Sequence, residues 1–234
     1  GKFYMYNSIE IYNDTPDKGG HRGAMHVSVA DNPLGPFTGT KQILHPFSID
    51  SHIVQNEAGL FLFYSANRFE GERIGTCIYV DKMLDPFTPA GNPVLVVEPT
   101  LDEDIYCRDR YKKGQHWHTI EGAFYFKEGD WHYLMYSGNC FEQPTYYIGY
   151  ARAKTDETDL TKIKFEKYPD SSSLMNAQYN DVLEIINSLG LAKSKAKNLI
   201  ELAKTINEEY DGNVPNSMEE LIKLPGVGRK TASV

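Results

Sequence analysis

Two acidic residues stand in similar settings in this sequence. Asp50 lies in Ser48-Ile-Asp50-Ser-His-Ile-Val54, and Glu121 lies in His116-Trp-His-Thr-Ile-Glu121-Gly-Ala-Phe124. Each comes shortly before a glycine-led string of alternating aromatic and aliphatic residues. Two carboxyl groups brought to one pocket, one protonated and one ionised, are the equipment for cleaving a glycosidic bond. Plainer readings stay open. Asp50 could cap a turn after Ser48, and Glu121, in the otherwise apolar run Ile120–Phe126, could be an exposed edge residue. His116 and His118 flank Trp117 and resemble a metal pair, but no third ligand is evident. Sugar stacking on Trp117 beside hydrogen-bonding histidines, or core packing, suits them better than a metal. Asp102, Glu103 and Asp104 read as a solvated loop run, and Cys107 and Cys140 as buried small hydrophobes.

A second chemistry lies at the far end, in Leu224-Pro-Gly-Val-Gly-Arg-Lys-Thr-Ala-Ser-Val234. Two glycines separated by one residue, between two helices, permit a tight turn whose backbone N–H groups stay open. With the N-terminus of the next helix, such amides form an anion site able to hold a phosphate. Gly-x-Gly alone would be only a helix–helix connector; the full string is more specific. Lys230, near the positive end of that helix, is expected to have a lowered pKa, as an amine nucleophile needs. A solvated surface lysine is the plain alternative.

The elements that would position these groups differ between the two regions. All seven histidines and both tryptophans precede Asp170, and only Tyr179 and Tyr210 among the aromatics follow it. The first region repeats itself: Gly1–Ser8, Gly59–Ser65 and Gly129–Ser137 each run from a turn glycine through alternating apolar residues to a serine. A second short strand follows each, at Met25–Ala30, Ile74–Val80 and Tyr147–Ala151, and the first two units then carry Leu34-Gly-Pro-Phe37 and Leu84-Asp-Pro-Phe87. Short antiparallel strands in repeated order predict propeller blades, with Asp50 and Glu121 at equivalent positions near the axis. A sandwich is the alternative. Beyond Asp170 the pattern is helical: Asp181–Leu189 stopped by Gly190, Ser194–Tyr210 stopped by Asp211-Gly212, and a capping box from Ser217 to Glu220.

Those motifs carry two resemblances. Ile49-Asp50-Ser51-His52, Glu121-Gly122-Ala123-Phe124 and the stretch Trp117–Asn139 resemble glycoside hydrolase family 43 over residues 1 to about 166. The resemblance implies a five-bladed propeller, of which about three blades are represented. It also implies inverting action on arabinose- and xylose-containing glycans. In it Glu121 matches the general acid, and Asp50 the residue that orients the acid and raises its pKa. His52, Trp117 and His118 fall on the substrate side. The family's general base, an Asp in its first blade, has no match here; Asp14 and Asp17 are possible replacements. The Leu224–Ala232 string, with Gly190–Asn198 and Gly212-Asn-Val-Pro215, resembles the endonuclease III family of helix-hairpin-helix DNA glycosylase/lyases, from about Phe165 on. That implies DNA phosphate on Gly226 and Gly228, with Arg229 beside them, and Lys230 as the Schiff-base lysine. The family's catalytic Asp and four iron–sulfur cysteines have no counterpart in this sequence.

The expected fold is therefore α+β in segregated halves: an all-β partial propeller over 1–166, then an all-α helix-hairpin-helix fragment over 167–234. Phe165-Glu-Lys-Tyr-Pro-Asp170 fits both families, so the chain reads as a chimera of two fragments joined at a shared string. The expected partners are a glycan for 1–166 and DNA for 167–234. No metal, cofactor or membrane is expected, and the cytoplasm is the favoured compartment. No apolar run approaches the ~18 residues of a membrane span. The three cysteines at scattered spacing give neither a disulfide scaffold nor a CxxC site, and the net charge of −8 argues against a generally basic nucleic-acid surface. An inactive fragment or binding module is the third reading, and neither activity is expected at a native level.

Overall fold

The computed structural model describes residues 1–10, 17–168, 174–187, 190–210, 212, 214–215 and 217–233. Asp14, Leu189, Asp211 and the Pro169–Asp170 end of the shared string lie outside them. The chain divides into two compact units, Gly1–Lys167 and Tyr168–Val234.

The first unit is built from three antiparallel strand pairs that superimpose the sequence repeat. These are β1 (Phe3–Glu10) with β2 (Gly23–Ala30), β5 (Gly59–Arg68) with β6 (Gly75–Asp85), and β11 (Trp131–Gly138) with β12 (Tyr147–Lys154). The serine that ends each repeat occupies the same register, Ser8 opposite Met25, Ser65 opposite Ile78 and Ser137 opposite Ile148. In the second and third pairs a further strand lies along the serine-bearing strand: β4 (Ser48–Asn56) on β5 and β10 (Trp117–Glu128) on β11. These two strands carry Asp50 and Glu121.

The strands do not close into a ring of separate blades. β1, β2 and β3 (Thr38–Gln42) form one sheet. The others form a second, in the order β13-β12-β11-β10-β6-β5-β4, with β7 (Thr88–Pro89) and β8 (Val94–Val97) on β6, β9 (Ile105–Cys107) on β10, and β13 at Glu166–Tyr168. The bridge between its halves is a short parallel pairing, His118 with Gly75 and Thr119 with Thr76. Gly75 is required there. A Cβ at that position would lie 2.0 Å from the His118 carbonyl oxygen.

Aromatic and β-branched residues supply the strands because they pack on a pleated surface. In β5, Phe61, Leu62, Phe63, Tyr64 and Ser65 are all buried, so both faces of that strand are covered. The main core joins Phe61, Phe63, Ile78, Val80, Ile120, Leu134 and Leu160; Met25, Leu62, Tyr64 and Met83 form a second cluster. One acidic residue of the supposed solvated run belongs to the interior. Asp104 is fully buried, accepts the N–H groups of Thr100 and Leu101, pairs with Lys167 Nζ at 3.0 Å and takes the Tyr147 hydroxyl. Its three donors and one cation replace the water it loses. Cys77 and Cys140 are buried, whereas Cys107 is only half-buried.

The second unit is helical: α1 (Tyr179–Ile186), α2 (Ala192–Tyr210), α3 (Met218–Leu221) and α4 (Arg229–Ala232). α1 buries Val182, and α2 buries Ala192, Ala196, Ala203 and Ile206 along one stripe. The first helix ends at Ile186 with Asn187 as its C-cap, and Leu191, left-handed at φ 62°, stands directly before α2. After α2, Gly212 at φ 79° donates its N–H to the Ile206 carbonyl and satisfies one acceptor at the helix end. Ser217 caps α3, its Oγ accepting the Glu220 N–H at 3.3 Å and donating to the Glu220 carboxylate at 2.6 Å.

Gly75→Ala is expected to lower the urea midpoint of the first unit by the equivalent of about 1–3 kcal/mol, because the clash is with backbone that cannot rotate away. Gly23→Ala, whose Cβ would meet Ile49 and Phe47 at 4.0 Å, is expected to shift it far less. Equal midpoints for the two variants would show that the β6–β10 bridge does not form.

Candidate active site and hairpin

Asp50 and Glu121 each sit where β4 and β10 break register with their neighbours. The β4–β5 ladder slips between Ile49 and His52, and the β10–β11 ladder between Glu121 and Phe124. Such bulges insert a residue and re-aim the side chains around it. Their registers show a one-residue offset between the two acids. Ser65 faces Ile49, whereas Ser137 faces Glu121, so Glu121 corresponds to Ile49 and Asp50 corresponds to Gly122. Asp50 (φ 57°) and Gly122 (φ 70°) are both left-handed. Glycine adopts this without penalty, and aspartate is among the side chains that tolerate it best. The acids are therefore not repeat-equivalent; each unit contributes its carboxylate from a different place in the same bulge.

The offset brings them together. Oδ2 of Asp50 accepts the Gly122 N–H at 3.1 Å and the Ser65 hydroxyl at 3.5 Å. Gly122 is the residue after Glu121, so this bond ties the two acids across two repeats of the first unit. Asp50 is an exposed residue, but protein crowding its carboxyl takes away enough water to push it up, and its two donors partly offset that. Burial also pushes Glu121 up; the Tyr146 hydroxyl, donating to Oε1 at 3.0 Å, acts against this, and the Asp50 charge adds to it. Tyr146 has no motif in the sequence to mark it. Its place follows from the turn into β12.

Of the other candidates, His52 touches the strand that carries Glu121, whereas the contacts of Trp117 and His118 lie elsewhere. His52 packs on Phe124 at 4.7 Å between ring centres, and its Nε2 lies 3.1 Å from the Tyr125 carbonyl, which ties it to the Glu121 strand. Trp117 is buried between Phe69 and Tyr111, with the Arg110 guanidinium 4.9 Å from its ring. His118 is buried too and turns to the Ile74 carbonyl and Arg73. His116 instead receives the Asp109 N–H, so the two histidines do not act as a pair. Among the described residues no group of three or more His, Cys, Asp or Glu side chains is placed to hold a metal ion.

Asp17 is a poor substitute base. Its carboxylate takes the N–H groups of Gly19 and His21, the Asn67 amide at 2.7 Å and the His21 ring at 3.1 Å. Burial alone would push it up, but the Asn67 and His21 contacts outweigh this and hold it below the usual carboxylate range. A carboxylate so well satisfied has little tendency to take a proton from water.

In the second unit, Val227 donates its N–H to Leu224, which is buried. Gly226 is left-handed (φ 75°) and stands so close to Asn198 of α2 that a Cβ would meet the Asn198 Cβ at 2.9 Å. The N–H groups of Gly226 and Gly228 have no hydrogen-bond partner among the described residues. Both glycines, Arg229 and Lys230 are exposed. All three cysteines lie in the first unit, so the helical unit does not fit an iron–sulfur cluster. No helix among the described residues is long and apolar enough to cross a membrane.

Burial gives a sign for the site's pH dependence. The folded chain holds the Glu121 proton to higher pH than the unfolded chain, so this residue's contribution makes stability fall as pH rises through the gap. Glu121→Gln removes that loss while keeping an acceptor for Tyr146. Its urea midpoint is expected to exceed that of the parent chain at pH 7, and the advantage to vanish below the ordinary glutamate range, about pH 4. A lower midpoint at pH 7 would place Glu121 in an environment that favours its charge.

Comparison with known proteins follows the same division. Residues 1–173 match glycosyl hydrolases family 43, and residues 209–234 match the helix-hairpin-helix motif. Over 82 residues the chain is 45% identical to endonuclease III of Synechocystis sp., covering 34% of this chain and 37% of that one. The endonuclease III of Bacillus subtilis is 45% identical over 75 residues, 32% of this chain and 34% of its own. Among solved structures, an alpha-L-arabinofuranosidase from Lactobacillus brevis aligns with a TM-score of 0.55 at 20% identity, over 71% of this chain and 50% of that one. The chain thus spans about half the length of this solved structure and about a third of its curated relatives.

Proposed function

Because this chain belongs to glycosyl hydrolase family 43, joined to a part similar to endonuclease III, we propose that its first unit hydrolyses arabinose- or xylose-containing glycans with inversion, at a rate limited by a missing general base. The observation that carries this reading is the Asp50–Gly122 bond beside Glu121. Glu121, raised by burial and by the neighbouring Asp50 charge, keeps its proton at pH values where an ordinary glutamate has lost it. It can then protonate the leaving oxygen of a glycosidic bond. Asp50, fastened by Gly122 and Ser65, sets the position and acidity of Glu121 without taking the proton itself. Tyr146 holds Oε1 and limits the rise. Inversion also needs a carboxylate that activates water on the opposite face of the sugar, and Asp17, bound by four donor groups, is a poor one.

The test is release of free sugar from unactivated arabino- and xylo-oligosaccharides, whose sugar alkoxide leaving groups need a proton from the acid. Slow turnover is expected, falling by roughly 10²–10⁴ in Glu121→Ala. Tyr146→Phe is expected to move the alkaline limb of the rate profile to higher pH, since it removes the one interaction that lowers the acid's pKa. Asp17→Asn is expected to leave the rate within about twofold; collapse of the rate would identify Asp17 as the base. Turnover that persists in Glu121→Ala would end the assignment of the acid.

The open amides of Gly226 and Gly228 support a second reading for the helical unit, contact with DNA phosphate beside Arg229 and Lys230. Borohydride trapping on an abasic-site duplex tests it. An adduct lost in Lys230→Ala would identify that lysine as the nucleophile. Binding without an adduct, weakened by Arg229→Ala and by salt, is the expected outcome.

A further inference from the structure

Three residues before Glu121 on β10, a separate cleft of about 370 Å³ opens beside His118. Its charged and titratable lining is Glu72, Arg73, Asp102, Lys112, Lys113, His116 and His118. The hydrogen-bond pattern of its inner wall is determined. His118 Nδ1 lies 3.1 Å from the Ile74 carbonyl, which can only accept, so Nδ1 carries the proton and Nε2 the lone pair. Arg73 Nη1 then donates to that Nε2 at 3.2 Å and to Asp102 Oδ1 at 2.7 Å. Both protons of one guanidinium nitrogen are spent. Nε and Nη2 have no partner among the described residues, and they form the side-on edge by which arginine grips a carboxylate with two parallel bonds.

The rest of the lining also offers donors. His116 Nδ1 accepts the Asp109 N–H at 3.1 Å, so in the neutral ring the proton sits on Nε2. Lys112 and Lys113 are exposed. The Asp102 carboxylate is already committed to Arg73. Against Glu72 and Asp102 stand three permanent cations, a local positive excess in a chain whose net charge is −8. Burial keeps His118 from charging and so preserves it as an acceptor for Arg73.

We infer that this cleft binds the carboxylate of a uronic acid carried by the glycan. The Arg73 side-on edge would form the bidentate contact, and Lys112, Lys113 and His116 would supply further donors. The assignment deepens the glycan reading of the Asp50–Glu121 pair and rests on it. His118 and Glu121 stand three residues, about 10 Å, apart along β10, a distance that a glycan of a few sugar units covers, and the acidic sugar here is assigned to the same glycan as the one at Glu121. The cleft would select for acid-substituted chains.

The test is calorimetric titration of the full chain carrying Glu121→Gln, which keeps oligosaccharides intact. The probes are sodium glucuronate, a glucuronate-substituted xylo-oligosaccharide, its unsubstituted counterpart and inorganic phosphate. The substituted chain is expected to bind about tenfold more tightly than the unsubstituted one, the effect of one charge-assisted contact. That ratio is expected to fall toward one when Arg73→Gln is added, and to drop when Lys112→Ala/Lys113→Ala is added. The lysine pair is exposed and keeps the test valid if the arginine variant unfolds. Equal binding of both oligosaccharides, or a ratio that neither variant changes, would overturn the carboxylate site while leaving the glycan reading intact. Glucuronate bound in an Arg73-dependent way, with neither oligosaccharide bound, would keep the site and remove the glycan reading. Phosphate bound in preference to glucuronate, or no binding of any probe, would overturn the proposal.

Discussion

The N–H of Gly122 meets the carboxylate of Asp50, and the chemistry of the first unit depends on that bond. It crosses from one strand group to the next and joins the bulges of β4 and β10, which lie beside the repeat serines Ser65 and Ser137. A bulge costs ladder hydrogen bonds and gains a change of direction. Here the change is used twice. In β10 the glycine takes the left-handed turn and leaves Glu121 beside Tyr146; in β4 the aspartate takes the turn itself and points across to the glycine.

Donor supply separates the roles of the acidic residues. Asp50, an exposed residue whose carboxyl is crowded by protein, and half-buried Glu121 receive few hydrogen bonds, so the loss of water prevails and both are pushed up. Asp17 receives more, and the balance reverses. Asp104 is buried more deeply than any of them but has a lysine, a tyrosine hydroxyl and two amides, and it serves as a structural tie between the loop before β9 and the strands β12 and β13. Residue type is the same in three of these cases. The surrounding donors decide whether the group stores a proton, repels one or ties the structure together.

The helical unit follows a different rule. Its buried stripe is made largely of alanines on α2, which lets neighbouring backbone approach closely, and the hairpin glycine Gly226 uses that closeness against Asn198. Open amides at Gly226 and Gly228 result from a turn too tight to satisfy them internally. The exposed Arg229 and Lys230 follow directly on that turn.

Much of this was legible in the sequence. The boundary in aromatic content, the glycine-to-serine repeat and the capping serine at 217 are local signals, and local backbone preference is strong enough to carry them into structure. Asp50 and Glu121 were legible as chemistry-bearing residues, but their equivalence was misjudged, since a bulge adds a residue without any mark in composition. Asp104 was misjudged because three acidic residues in a row look solvated until the fold supplies Lys167 from 63 positions away. Tyr146 and Arg73 carry no motif at all. The sequence by itself determined which segments are strand or helix, where the repeat begins and which residues have reactive groups. Tertiary structure alone decided which groups meet, which keep their protons and which are tied up in structure, because those outcomes depend on partners distant in the chain and on how much water the fold removes from each.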